Sequence, residues 1–300
     1  MYVTVSNLQV NYGKHTALSI KQPITIGENE RIGIIGSNGA GKTTFVKAIL
    51  GLVPSKGVIN TDLKNYEMAA HLQFNEYVNS MPVRYIMEAI LDTSVRKNKK
   101  LGELISYFDF EPCLRKRYSA LSGGQKQRLT IIMVMMQDAP LTFYDEVTSG
   151  LDFETRQRLM ERLVKWYENK KNTLCIVSHY YEELQLLADK ILILDKGNVI
   201  DYGSKDELFV KYCGNAILLA DNTEKNRELL KNCPKLFAPE HLIAVPCKTQ
   251  EKEKEISELF IKNDVNFKRS NNDIELMYIN AKAAYYGEDA MAEIYGEGGN

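Results

Sequence analysis

The sequence predicts an α/β chain with a core of mixed sheet, an N-terminal antiparallel β-subdomain and a helical insertion, and with a small C-terminal α/β unit. Three observations carry this. Short strands with turn signals open the chain, strands and helices alternate from residue 141 onward, and the composition shifts near Gly214. Three hundred residues at about 150 per domain suggest two units, long enough to bury a core without disulfides or metals. The division is placed at residues 1–214 and 215–300, with a helical subdomain at about 75–135.

Tyr2 to Val10 alternates apolar and polar residues as a strand does, Asn11-Tyr12-Gly13 reads as a turn, and Ala17 to Ile20 continues the sheet. Arg31 to Ile35 is an apolar strand running into a glycine-rich loop, after which Thr43 to Leu50 has helical composition and stops at Gly51. Residues 82–117 read as helical, since Val83, Ile86, Met87 and Ile90 recur on one face. Leu141 to Tyr144, Leu174 to Val177 and Ile191 to Leu194 read as strands with helices at 153–168 and 180–188 between them, which implies parallel pairing. Val199 to Tyr202 follows Lys196-Gly197-Asn198 and is predicted to close a hairpin. In the C-terminal unit, Ala216 to Ala220 and Leu242 to Val245 read as strands, with helices from about Thr223 to Lys231 and Gln250 to Ile261. A last apolar stretch holds Phe267 and Ile274 to Ile279, and the tail Gly296 to Asn300 is predicted to be disordered.

The 44% hydrophobic and 26% charged fractions are those of an ordinary globular protein. Thirty-eight basic against 39 acidic residues leave a formal charge of −1, which argues against bulk electrostatic binding to nucleic acid. The longest apolar run, Ile131 to Met136, falls far short of the roughly 18 residues of a membrane-spanning helix, and the N-terminus lacks the pattern of a signal peptide, so a cytoplasmic chain is expected. Cys113, Cys175, Cys213, Cys233 and Cys247 are scattered and odd in number, so buried thiols are expected rather than a disulfide framework or a zinc site.

Gly36-Ser37-Asn38-Gly39-Ala40-Gly41-Lys42-Thr43 fits G-x-x-x-x-G-K-[ST] between an apolar strand and a helix, the context that this pattern requires. Its glycines let backbone N–H groups curl around phosphates, Lys42 adds a point charge, and the Thr43 hydroxyl can ligate Mg²⁺. The loop implies a P-loop NTPase core. Leu141 to Tyr144 runs into Asp145 and Glu146. Adjacent acids at a strand end often form a solvated turn, but beside a phosphate loop Asp145 suits Mg²⁺ and Glu146 suits the polarisation of an attacking water. In Leu121-Ser122-Gly123-Gly124-Gln125, Ser122 is a good helix N-cap and the glycines permit close backbone approach at a second helix N-terminus.

Leu121 to Gln125 matches the signature sequence of ATP-binding cassette (ABC) ATPases, and over residues 1–214 the chain resembles that family, with its nucleotide elements in order. The resemblance implies ATP and Mg²⁺ as ligands, with Ser37 to Thr43 and Thr44 around the phosphates and Ser122, Gly123, Gly124 and Gln125 capping the nucleotide of a partner cassette. Tyr12 resembles the aromatic that stacks on adenine, Gln73 the glutamine that links Mg²⁺ and water to the membrane partner, Asp152 the aspartate loop that communicates across the dimer, and His179 the switch histidine at the γ-phosphate. Catalysis is thereby assigned to Glu146, His179 and Gln73, and the metal to Thr43, Asp145 and Gln73. His15, His71 and His241 receive no role. Val147 stands where the family usually has proline, which points to altered local rigidity without loss of activity.

The resemblance further implies a peripheral subunit on the inner face of the membrane that hydrolyses ATP, closes head to tail as a homodimer or as a heterodimer with a second cassette, and drives an integral membrane permease. Nucleic acid is not an expected partner. Phe74 to Leu91 would dock that permease, or else is a solvated helical face. The C-terminal unit resembles the extension on ATPases paired with exporters of drugs, antibiotics or antimicrobial peptides, and Asp273 to Tyr278 is loosely similar to that extension's closing motif; a binding module there is a further reading. Alternatives are an importer ATPase and a cassette ATPase acting on ribosomes or DNA, although such relatives usually carry two cassettes or a long coiled coil.

Overall fold

The computed structural model describes residues 1–72, 77–287, 289 and 291. Gln73, Phe74 and the tail Gly296 to Asn300 therefore lie outside the described residues. The chain opens with β1 (Val3–Tyr12), β2 (His15–Ile20), β3 (Ile24–Ile26) and β4 (Arg31–Ile35), followed by α1 (Lys42–Ile49), β5 (Lys56–Thr61) and β6 (Met68–His71). β1 pairs antiparallel with β2, β3 and β5. Its buried side chains, Val3 and Val5, then Leu8 and Val10, change phase across Asn7, which adopts a left-handed φ of 47°. Its register with β5 shifts at the same place, so a bulge keeps all four side chains in the core.

The helical insertion holds α2 (Val83–Ile90), α3 (Lys99–Tyr107) and α4 (Gly123–Met136). The predicted helix over 82–117 is thus two short helices. α2 ends near Leu91, Asn98 caps α3 by accepting from the Leu101 N–H, and Pro82 bridges back to Arg117. After it come β7 (Leu141–Asp145), α5 (Phe153–Tyr167), β8 (Thr173–Val177), α6 (Tyr181–Leu187), β9 (Lys190–Asp195), β10 (Asn198–Ser204) and α7 (Lys205–Cys213). The strands run β3-β1-β2-β10-β9-β4-β8-β7-β6 across one sheet. From β9 to β6 the pairings are parallel, and β7 and β8 are buried at every position, as strands covered on both faces must be. The β9–β10 hairpin closes with Lys196 at φ 46° and Gly197 at φ 76°, two left-handed residues in succession. Phe45, Val46 and Ile49 of α1 fill the core on one face of the sheet, while α4, α5 and α6 pack into the other.

The remaining elements are β11 (Ala216–Asp221), α8 (Glu224–Leu229), β12 (Leu242–Cys247), α9 (Gln250–Lys262), β13 (Phe267–Ser270) and α10 (Ile274–Tyr286). β12, β11 and β13 form a three-stranded antiparallel sheet. β11 serves two cores. Ala216, Leu218 and Ala220 pack with Ile256 and Phe260 of α9, whereas Ile217 and Leu219 join the cluster that holds Leu184, Leu187, Leu208 and Phe209. Ile274, Leu276 and Met277 of α10 join this second cluster as well. Among the described residues no helix is long and apolar enough to cross a membrane. Cys113, Cys175, Cys213 and Cys247 are buried thiols and Cys233 is half-buried.

Because Phe209 sits in the cluster shared by the two sheets, Phe209→Ala should cost about 3–5 kcal/mol. Urea unfolding followed by Trp166 fluorescence and by circular dichroism should show one transition at lower denaturant. Two separate transitions, with only one of them moved, would show that the sheets fold independently.

Candidate functional site

The phosphate loop leaves β4 at Ile35 and passes between the backbones of β2 and β9. A Cβ on Gly36 would lie 2.2 Å from the Leu194 carbonyl oxygen, and one on Gly41 2.7 Å from that of Ala17. Gly41 also adopts φ 97° as the N-cap of α1 and brings no side chain to cap that helix, so the first-turn N–H groups remain available to an anion. Lys42 opens α1 and is buried; its Nζ donates to the carbonyls of Gly36 at 2.9 Å and Ser37 at 3.1 Å. Burial pulls its pKa down, against the opposing pull of Glu146 and Asp145.

Asp145 ends β7 fully buried, and neither of its carboxylate oxygens has a hydrogen-bond partner among the described residues. Burial raises its pKa. The Thr43 hydroxyl faces it and favours the charged form without closing a bond of good distance and angle. An orphaned buried carboxylate beside a helix-start hydroxyl suits a hard cation. Among the described residues no three His, Cys, Asp or Glu side chains converge, so a cation here needs further oxygens, as from a phosphate chain. Thr43 and Asp145 thus fit Mg²⁺.

Glu146 takes φ 51°, a left-handed conformation that costs of order 1–3 kcal/mol and persists only where the surroundings impose it. They do so through two hydrogen bonds: its N–H donates to the Val177 carbonyl at 2.9 Å, and its carbonyl accepts from the Ser149 N–H at 3.0 Å. Glu146 Oε1 then meets His179 Nε2 at 2.6 Å. Buried Glu183 ties the two loops together, accepting from Thr148 after β7 and Ser178 after β8, each at 2.6 Å. Val147 is buried in the larger core, so this position contributes packing where proline would contribute a fixed φ.

These groups surround a cavity of about 590 Å³, within the usual range for small-molecule sites. Tyr12, His15, Ala17, Asn38 to Thr44, Glu146, Ser149 and His179 line it. Tyr12 is 48% exposed at the β1–β2 turn, with a ring free to accept a flat partner. Ser37 points elsewhere: its Oγ donates to Asp195 at 2.7 Å. Ser122, Gly123, Gly124 and Gln125 do not line the cavity. Ser122 and Gln125 cap α4 reciprocally, Gln125 N–H to Ser122 Oγ at 3.3 Å and Ser122 N–H to Gln125 Oε1 at 3.1 Å. Asp152 is likewise outside the cavity and caps α5 by accepting from the Thr155 N–H at 3.0 Å and its hydroxyl at 2.8 Å, which lowers its pKa. Sequence reasoning passed over His15 and Ser149. Pairing across the β1–β2 hairpin sets His15 opposite Tyr12, so the turn itself was the signal for the former.

The model of the family described as "ABC transporter" matches residues 22–149. The methionine import ATP-binding protein MetN of Corynebacterium glutamicum is 30% identical over 251 residues, covering 75% of this chain and 69% of that protein. The linearmycin resistance ATP-binding protein LnrL of Bacillus subtilis is 27% identical over 227 residues, covering 71% and 72%. Among solved structures, a dimeric ATP-binding cassette in a post-hydrolysis state with ADP and Pi superposes with a TM-score of 0.59 at 22% identity, over 67% of this chain and 98% of that one, a likeness of fold.

Asp145 gives the site a pH signature. Its folded pKa lies above the unfolded value, so its charge costs stability at neutral pH, and the cost is relieved as pH falls through the folded pKa. Without Mg²⁺ or nucleotide, Asp145→Asn should stabilise the fold at pH 7 by about 1 kcal/mol or more, and the gain should shrink in acid. Thermal unfolding from pH 7 to 4 checks this, and a variant less stable than wild type at pH 7 would contradict it.

Proposed function

The chain belongs to the ABC transporter family as an ATP-binding subunit, and on that premise we propose that it hydrolyses ATP in the cavity bounded by Lys42, Glu146 and His179 while paired head to tail with a second cassette. The observation that supports this most is the 2.6 Å contact between His179 and a Glu146 held in a left-handed conformation beside the phosphate loop. In this reading the adenine stacks on Tyr12, and the phosphates meet the N–H groups of the loop and of the first turn of α1. Lys42 exchanges the Gly36 and Ser37 carbonyls for phosphate oxygens. Thr43 and Asp145 would hold Mg²⁺, which would supply neutralisation of phosphate charge there. Glu146 accepts a proton from the attacking water, and His179 fixes the carboxylate that receives it. Gln73 is proposed for the metal and water on the family resemblance alone.

Ser122 to Gln125 and Asp152 stand outside their own cavity, which supports their assignment to the nucleotide of the opposite cassette. The N-terminus of α4 then offers Ser122 and adjacent N–H groups to the γ-phosphate. Several charge-assisted bonds of about 1.5–3 kcal/mol each reach the roughly 5.5 kcal/mol that moves a pair from 1:99 to 99:1 closed. Loss of the γ-phosphate removes them and reopens the pair.

The mechanical work goes to a membrane permease on the cytoplasmic side. For direction, export is the reading proposed: the relative LnrL is a resistance protein, and the C-terminal unit resembles exporter extensions. The relative MetN, an import protein, supports the opposite direction, and transport into or out of vesicles carrying the chain with its permease decides between them.

Glu146→Gln should lower ATP turnover by at least about 10²-fold while nucleotide binding and closure persist, read by phosphate release and by ATP-dependent dimerisation. Unchanged turnover would remove Glu146 from its role. Lys42→Ala should instead weaken ATP binding itself in equilibrium titration, and wild-type affinity would contradict the site.

A further inference from the structure

The back of the phosphate loop is tied to the C-terminal helix. Asp195, the last residue of β9, is 1% exposed, and its carboxylate collects donors from both parts of the chain. Ser37 Oγ donates to Oδ1 at 2.7 Å and the Tyr286 hydroxyl donates to Oδ2 at 3.0 Å. From α10, Lys282 Nζ lies 3.6 Å and the Tyr278 hydroxyl 3.5 Å from Oδ1. Tyr278, Lys282 and Tyr286 are spaced four residues apart and so share one face of α10. On the loop side, the Ser37 carbonyl receives Lys42 Nζ at 3.1 Å, so a continuous chain of polar contacts runs from Tyr286 through Asp195 and Ser37 to the lysine expected to meet phosphate.

A buried carboxylate is costly when a donor is withdrawn, so Asp195 cannot release α10 without changing its hold on Ser37. It carries no sequence signal for catalysis and does not line the cavity, and neither do the three α10 residues. We infer that α10 is a positioning element for nucleotide binding, with Tyr286 and Asp195 as positioning residues that set the conformation of the phosphate loop through Ser37. The inference rests on the cavity being an ATP site. It gives the C-terminal unit a task inside the nucleotide site of its own chain, and anything that displaces α10 then weakens ATP binding.

Equilibrium binding of Mg-ATP to the full chain tests it, with wild type, Tyr286→Phe, Ser37→Ala, the double variant and Lys42→Ala. Tyr286→Phe removes one hydroxyl and keeps the ring, against which Lys196 Nζ packs at 5.2 Å from the centroid, so the helix stays docked. Each single variant should weaken ATP binding by about five-fold or more, and the double variant should bind no more weakly than the worse single. Wild-type affinity in Tyr286→Phe overturns the inference. So does simple additivity in the double variant. A lowered melting temperature with unchanged affinity would reduce α10 to a scaffold and overturn it too. Lys42→Ala separates the premises, because wild-type affinity there strikes the ATP site itself.

Discussion

Hydrogen-bond register among three parallel strands is the constraint on which the site depends. Ile34, Val177 and Asp145 stand in one row across β4, β8 and β7. The residues just beyond that row are the start of the phosphate loop, the segment leading to His179, and Glu146. A shift of one residue in either ladder would turn Asp145 away from Thr43, and a shift between β7 and β8 would also part Glu146 from His179. The side chains of β7 and β8, buried at every position and apolar for the most part, hold this register, so the apolar core and the polar edge are two aspects of one alignment.

The charges at that edge are incompletely matched. Lys42 is buried and turned back on its own loop, Asp145 is buried with both oxygens orphaned, and Glu146 is held at a disfavoured φ. Each is a local cost that the remainder of the fold sustains. In the proposed site, nucleotide would give Lys42 an anion and a hard cation would face Asp145. Substitutions that relieve these local costs in the proposed site would therefore work against binding.

The phosphate loop, the acids at the end of β7, the Ser122 cap of α4 and the Lys196-Gly197 hairpin were legible in the sequence because each is encoded within a few residues by backbone or capping chemistry. β3 is hard to read from sequence because three residues, even with Ile24 and Ile26 buried, are too few to show a period, and β5 because it is exposed at nearly every position. α10 was not recognised as a helix because it is apolar almost all round, which erases the 3.6-residue signal. Glu183 and Asp195 were invisible for a different reason. Their partners lie 35 residues upstream and 91 residues downstream, and only the folded sheet brings them together.

β11 alternates between two cores, with Ile217 and Leu219 serving one and Ala216, Leu218 and Ala220 the other. Its two faces are thus not interchangeable: one meets α6 and α7, the other meets α9. An insertion or deletion of one residue in this strand would exchange the faces, pressing small alanines where large side chains are needed and leaving Leu and Ile to the wrong partner. The length of the connection after Gly214 is consequently constrained as tightly as a core residue, and a graft of this C-terminal unit onto another cassette would succeed only with β11 in phase.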